Sequence, residues 1–196
     1  EIPLRLVGSE MCIRDSSQKT AGITKSGGYV AYVLYGGKIN RFSIDKDNAI
    51  NLAQSYLKNI GYKNMANTYY AINNNVCVIN FAYKKDDVTY YSDLIKVGVS
   101  MDNGKIVSLE AQGYLTNHIK RKAFNCKLTK EHAQSKLSKN LKVINSKRCV
   151  IPKESGNEVN CYEFRCKSND TKEEVLIYSL PSFGMAVEAF SYLLLS

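Results

Sequence analysis

The chain has 196 residues, of which 44% are hydrophobic, and a formal net charge of +9. That is enough apolar chain for one or two packed domains, and it excludes a disordered polymer. No stretch reaches the length of apolar run a membrane-spanning helix needs, and Leu193 to Leu195 are too few.

In chain order, the first periodic signal is a predicted strand from Gly28 to Tyr35, GYVAYVLY. A turn at Gly36–Gly37 and a short strand over Lys38 to Phe42 follow. Asp45 then stands where a helix N-cap belongs, with Asp47 in the first turn. Ala49, Leu52, Ala53, Tyr56, Leu57 and Ile60 keep helical spacing, and Gly61 marks the stop.

After Gly61 the period changes to two. Strands are predicted at Thr68 to Ile72 and Val76 to Tyr83, joined by a hairpin at Asn73-Asn74-Asn75. Lys84 to Asp87 reads as a polar loop, and Tyr90 to Met101 as the next strand. Asp102-Asn103-Gly104 signals a type I′ hairpin leading into a strand from Lys105 to Tyr114.

The order then recurs. Leu128-Thr129-Lys130-Glu131-His132-Ala133 repeats the pattern of Ile44 to Ala49, and a helix is expected to about Asn140. Strands follow at Ser146 to Ile151, Glu158 to Lys167, Glu174 to Leu180 and Met185 to Phe190, with Gly184 in the turn position of Gly104. A period of about 80 residues suits tandem small domains. The expected architecture is α+β: each unit is one helix packed on an antiparallel meander. The divisions are residues 43–122 and 123–196, with residues 17–42 as the terminal hairpin of a truncated earlier copy. On this reading the chain is a fragment that has lost its front.

The opening stretch has a different character. Leu6 to Asp15, LVGSEMCIRD, is what results from translating a transposase adapter of short-read sequencing libraries. Residues 1–16 are therefore expected to be non-native and are set aside from fold reasoning. They hold two arginines and three acids, so the remainder carries +10. Five cysteines are left, an odd number that argues against a full disulfide framework.

The charge admits two readings, an acidic partner or a lysine-rich solvated surface. Lysines are scattered, with one local cluster from His118 to Lys122, and no nucleic-acid motif accompanies them, so the solvated surface is favoured and no nucleic-acid partner is expected. No Cys/His spacing suits zinc, and no phosphate or dinucleotide loop is present, so no cofactor is expected. A Cys149–Cys161 cross-strand bridge is open to the chain, but buried free thiols are the expected state.

Catalytic chemistry is hard to assemble. Glu110, Glu163, Glu173 and Glu174 fall on strand faces and loops rather than as a pair flanking a cleft. Cys126 and His132 are six apart with the helix cap Thr129 between them, which is unpromising for a nucleophile and base. His118 is expected to fix a corner between the two units, with contact to a partner as the other reading. The fourteen tyrosines say more. In the pairs Tyr69–Tyr70 and Tyr90–Tyr91, neighbours on a strand face opposite sides, so one should pack under the helix and one should be exposed. Exposed tyrosine is a common interface anchor, which makes Tyr69, Tyr70, Tyr90, Tyr91 and the nearby Lys96 candidate partner contacts; cross-strand packing is the other reading.

Several segments together carry a family resemblance: Tyr90 to Val97 (YYSDLIKV), Asp102-Asn103-Gly104, Gly113-Tyr114-Leu115 to His118 and Arg121, Asn80-Phe81-Ala82-Tyr83, Val150-Ile151-Pro152, and Cys161-Tyr162-Glu163-Phe164. Over about residues 27–196 the chain resembles the YpeB-type germination proteins of spore-forming bacteria, and its helix-plus-meander units look like PepSY domains. Ser179 to Gly184 departs from the family's usual turn. The resemblance implies a non-catalytic protein, held by an N-terminal membrane anchor missing here, at the outer face of the inner spore membrane and cortex. It implies a cortex-lytic enzyme of transglycosylase or amidase type as partner, bound, localised, stabilised or restrained. Direct binding of anionic cortex peptidoglycan is the alternative.

Overall fold

The computed structural model describes residues 10–14, 19–37, 39, 42–153, 155–180 and 187–188. It is a mixed sheet protein with few helices. The chain divides into two compact units, residues 1–84 with 92–120, and residues 85–91 with 121–196.

In the first unit the strands are β1 (Glu10–Arg14), β2 (Lys19–Thr24), β3 (Val30–Tyr35), β4 (Met65–Asn73), β5 (Val76–Lys85), β6 (Val88–Ser100) and β7 (Ile106–Glu110). They hydrogen-bond in the order β1-β2-β3-β7-β6-β5-β4. β1 and β2 are elements that the sequence reading lacked. β1 lies within the residues set aside as non-native, and pairs antiparallel with β2. The strand expected from Lys38 to Phe42 lies largely outside the described residues, as do Gly184 and most of the strand expected at Met185 to Phe190.

Helix α1 (Lys46–Asn59) begins as its residues dictate. Asp45 Oδ1 accepts from the Asn48 amide at 2.8 Å, which satisfies one of the orphan donors at the helix start. At the other end the Tyr62 amide donates to Leu57 O at 2.9 Å and the Gly61 amide to Lys58 O at 3.2 Å. That pair of bonds is the Schellman arrangement, and Gly61 takes the left-handed φ it requires, +99°. The helix buries Ala49, Ala53 and Leu57 into a cluster with Ile79, Phe81, Ile95, Val97 and Leu109. Fully burying a side chain the size of Leu57 or Ile79 is worth about 1.5–3 kcal/mol, and each alanine methyl less.

The hairpins follow local chemistry. Asn74 and Asn75 both take positive φ, 49° and 61°, and so form a two-residue primed turn. Asp86 and Asp87 do the same at 49° and 60°, so the expected polar loop is a tight β5–β6 hairpin. At Asp102-Asn103-Gly104 the expected type I′ turn is corrected. Only Gly104 has positive φ there. The Gly104 amide donates to Ser100 O and the Ser100 amide to Lys105 O, each at 2.9 Å, which closes a four-residue loop instead.

The strand expected from Lys105 to Tyr114 is also shorter, ending at Glu110. It gives way to helix α2 (Gln112–Asn117), which buries Tyr114 and Leu115. Gly113 permits this, because a Cβ there would sit 2.9 Å from the Leu94 carbonyl oxygen.

The second unit holds helix α3 (Lys130–Ser135) and strands β8 (Leu141–Pro152), β9 (Glu158–Ser168), β10 (Glu174–Ser179) and β11 (Val187–Glu188). Thr129 caps α3 as expected, accepting from the His132 amide at 3.2 Å. The helix stops at Ser135 rather than near Asn140. Its buried contribution to the core is Ala133, which packs with Phe164, Cys166 and Ile177. The first residues of β6 belong to this unit and run parallel to β8, with Val88 opposite Arg148 and Tyr90 opposite Val150. Among the described residues no helix is long and apolar enough to cross a membrane.

The β9–β10 loop copies the closure seen at Gly104. The Lys172 amide donates to Ser168 O at 3.2 Å and the Ser168 amide to Glu173 O at 2.9 Å. The left-handed position is filled by Lys172, φ 62°, where an L side chain is strained. Lys172→Gly should therefore raise unfolding stability by about 0.5–1 kcal/mol in urea titration. A loss of stability would show that the lysine side chain contributes more than its backbone strain costs.

Candidate functional site

The first cluster lies in the first unit, where β6 passes the end of α2. Asp93 is fully buried, and the residues after Tyr114 bring His118 against it, with Nδ1 to Oδ2 at 2.7 Å. The ring stacks on Tyr114 at a centroid distance of 4.3 Å and meets the Tyr83 edge at 4.6 Å. Asn117 Nδ2 ties the same turn down by donating to Ser92 O at 3.0 Å and Gly113 O at 2.9 Å. His118 thus fixes a corner within its own unit.

The second cluster lies in the second unit. Lys147 and Glu163 are directly opposite on β8 and β9, and Tyr178 is opposite Glu163 on β10. The three share one sheet face with Cys149 and Cys161, which the two-residue period places one step along. Lys147 Nζ reaches Glu163 Oε1 at 3.1 Å, and the Tyr91 hydroxyl donates to Glu163 Oε2. Lys147 also lies over the Tyr91 ring at 5.3 Å, and Tyr178 meets that ring edge-on at 6.0 Å. Beside this, Arg121 forks onto Glu158 at 2.8 and 2.6 Å and covers the Tyr90 ring at 4.9 Å.

These surroundings decide the candidate residues. Tyr90 and Tyr91 are both buried, 7% exposed each, where alternation on a one-sided sheet predicted one exposed. The start of β6 is covered on both faces, so the alternation rule had no wet face to use. Tyr69 is half-buried opposite Asn80. Tyr70, opposite the core residue Ile79, keeps 38% exposure with Lys46 Nζ 5.3 Å from its ring centre. The exposed member of that pair is thus the one on the helix face, at the margin of the sheet. Lys96 is half-buried opposite Glu110. The structure does not gather these five residues into one site. The residues it does bring together, Glu163, Lys147 and Tyr178, were legible only through β-register, which depends on pairings far apart in sequence.

Neither cluster is primed for chemistry. Each buried carboxylate is spent on neighbours in its own unit. The thiols of Cys77, Cys126, Cys149 and Cys166 are all pushed upward, by burial for Cys77, Cys126 and Cys166 and first by the Cys161 hydrogen bond for Cys149. A thiol held protonated is a poor nucleophile. His132 is exposed, at the start of α3. Among the described residues no group of three or more His, Cys, Asp or Glu side chains could hold a metal ion.

Residues 9–124 match the family model described as YpeB sporulation, PepSY1 and PepSY2 domains. The chain belongs to the YpeB sporulation protein family. The match begins inside the stretch that the sequence reading set aside. Among curated proteins, the chain is 34% identical over 155 residues to a Sporulation protein YpeB of Halalkalibacterium halodurans, covering 79% of this chain and 35% of that protein. It is 30% identical over 143 residues to the YpeB protein of Bacillus subtilis, covering 72% and 32%. The chain therefore spans about a third of the length of these YpeB relatives. Among solved structures, it resembles the Bacillus megaterium YpeB C-terminal domain with a TM-score of 0.82 and 26% identity, over 91% of this chain and 80% of that one.

Burial raises the hydroxyls of Tyr62, Tyr91 and Tyr178 well above the ordinary tyrosine range, with Glu163 adding to the effect on the last two. The folded form keeps these protons when the unfolded chain loses them. Their stabilisation is complete below pH about 10 and is lost as pH rises beyond it, by about 1.4 kcal/mol per pH unit for each group. Tyrosinate absorbance should show these rings titrating together with unfolding; ordinary titration in the folded protein would refute their burial. Tyr91→Phe should cost about 1.5–3 kcal/mol in urea unfolding, because it removes a hydrogen bond to a charged acceptor.

Proposed function

We propose that this chain is a non-catalytic part of a germination protein that binds, localises, or stabilises or restrains a cortex-lytic peptidoglycan hydrolase. Membership of a sporulation protein family supplies the setting. The observation that carries the reading is the state of the buried reactive groups. Asp93 is bound to His118, Glu163 is shared by Tyr91 and Lys147, and the shifted thiols are held protonated. Groups so engaged suit a rigid framework for recognition rather than turnover.

On this reading the work is done by surface complementarity. Tyr70 and Ile72, each 38% exposed on β4, and Lys46 beside Tyr70 form the exposed aromatic and basic contact, with Lys96 as a further candidate. The site of action would be the outer face of the inner spore membrane and cortex, reached through an anchor in the part of the relatives that this chain does not cover.

The net charge of +9 favours a second reading, direct binding to anionic cortex peptidoglycan. The two differ in salt dependence, since attraction between a basic surface and a polyanion is screened. Immobilised chain should capture the hydrolase of the same organism at high salt, and Tyr70→Ser should reduce that capture at least severalfold without loss of fold. Capture of cortex fragments alone, abolished by salt, would replace the protein-partner reading with the polymer one. Muropeptide release by the purified chain would overturn both.

A further inference from the structure

We propose that Cys149 and Cys161 are a disulfide-forming pair that staples the β8–β9 hairpin of the second unit. The two residues are directly opposite in the antiparallel register, and their sulfurs lie 3.4 Å apart. Opposed residues in such a ladder have Cα atoms about 4.5–5.5 Å apart, inside the span of about 4.4–6.8 Å that a disulfide bridges. Closing the remaining gap takes side-chain rotation, not strand movement. Of the other cysteines, Cys77 lies in the core cluster of the first unit, and Cys166 packs on the opposite face of β9 with Phe164 and Ala133.

The chemistry balances with a low-molecular-weight or protein disulfide as oxidant. One thiolate attacks that disulfide and expels a thiol, leaving a mixed disulfide on the chain. The second thiolate then attacks the mixed disulfide, forming the Cys149–Cys161 bond and expelling the second thiol. Two thiols of the protein lose two electrons and two protons, and the oxidant becomes two thiols.

Burial sets when this happens. Both sulfurs are fully buried, and their mutual hydrogen bond holds Cys149 protonated, which suppresses the thiolate that must attack. The folded, reduced pair is slow to react. Oxidation belongs to the chain before the hairpin is covered, or to a local opening of it.

The test is to refold the full chain from denaturant in a buffer of oxidised and reduced glutathione. The alkylatable thiols are then counted in denatured protein, and unreduced peptides are mapped. The expected result is a fall from the six thiols of the chain to four, with one linkage joining Cys149 to Cys161, reversed by a dithiol reductant. A second arm needs no refolding: folded protein is held in the same buffer at sub-denaturing urea and analysed in the same way. Six intact thiols in both arms, with native circular dichroism, would overturn the proposal. So would a linkage that pairs either residue with a different cysteine.

Discussion

The rest of the structure depends on a strand that has no wet face. Eleven of the thirteen residues of β6 are buried, and they include Thr89, Tyr90, Tyr91, Ser92, Asp93 and Ser100. A polar group taken out of water must find a partner inside the protein, and a charge must find a strong one. The fold answers at three of these places, while the buried Ser92 hydroxyl has no hydrogen-bond partner among the described residues. Tyr91 donates to Glu163, Ser100 hydrogen-bonds Asp102, and Asp93 receives His118 from beyond α2. The tying down of α2, the placing of Glu163 on β9 and the loop after Ser100 all serve that strand.

Much of this was legible locally and little of it at long range. Asp45, Thr129 and Gly61 mark helix ends, because capping is settled by residues within a few positions of each other. The Asn74–Asn75 hairpin is legible for the same reason. The burial of Tyr90 and Tyr91 is not, because it needs the parallel alignment of Val88–Tyr90 with Arg148–Val150, some sixty residues away. Alternation assumes one dry and one wet face, and a strand enclosed on both sides breaks that assumption. The strand carried on to Tyr114 failed on a contact of Gly113 with the Leu94 backbone that no local pattern announces.

The five tyrosine and lysine candidates divide along the same line. Composition and alternation identified aromatic residues on strands, which holds. Which of them solvent can reach depends on register and on what covers each face. Tyr70 remains at the surface because β4 pairs with β5 alone among the described strands, while Tyr91 is drawn inward by a carboxylate three strands of sequence later.

The same margin has a further meaning. A nine-residue strand with exposed Tyr70 and Ile72 and one side unpaired among the described residues is the kind of ribbon onto which a neighbouring molecule can add itself, copy upon copy. In β4 the ladder to β5 slips between Asn67 and Tyr69. The extra residue there twists the outer row of amides and carbonyls away from a straight template. An irregularity of one residue thus makes this margin a poorer template for edge-to-edge pairing than a straight strand would be.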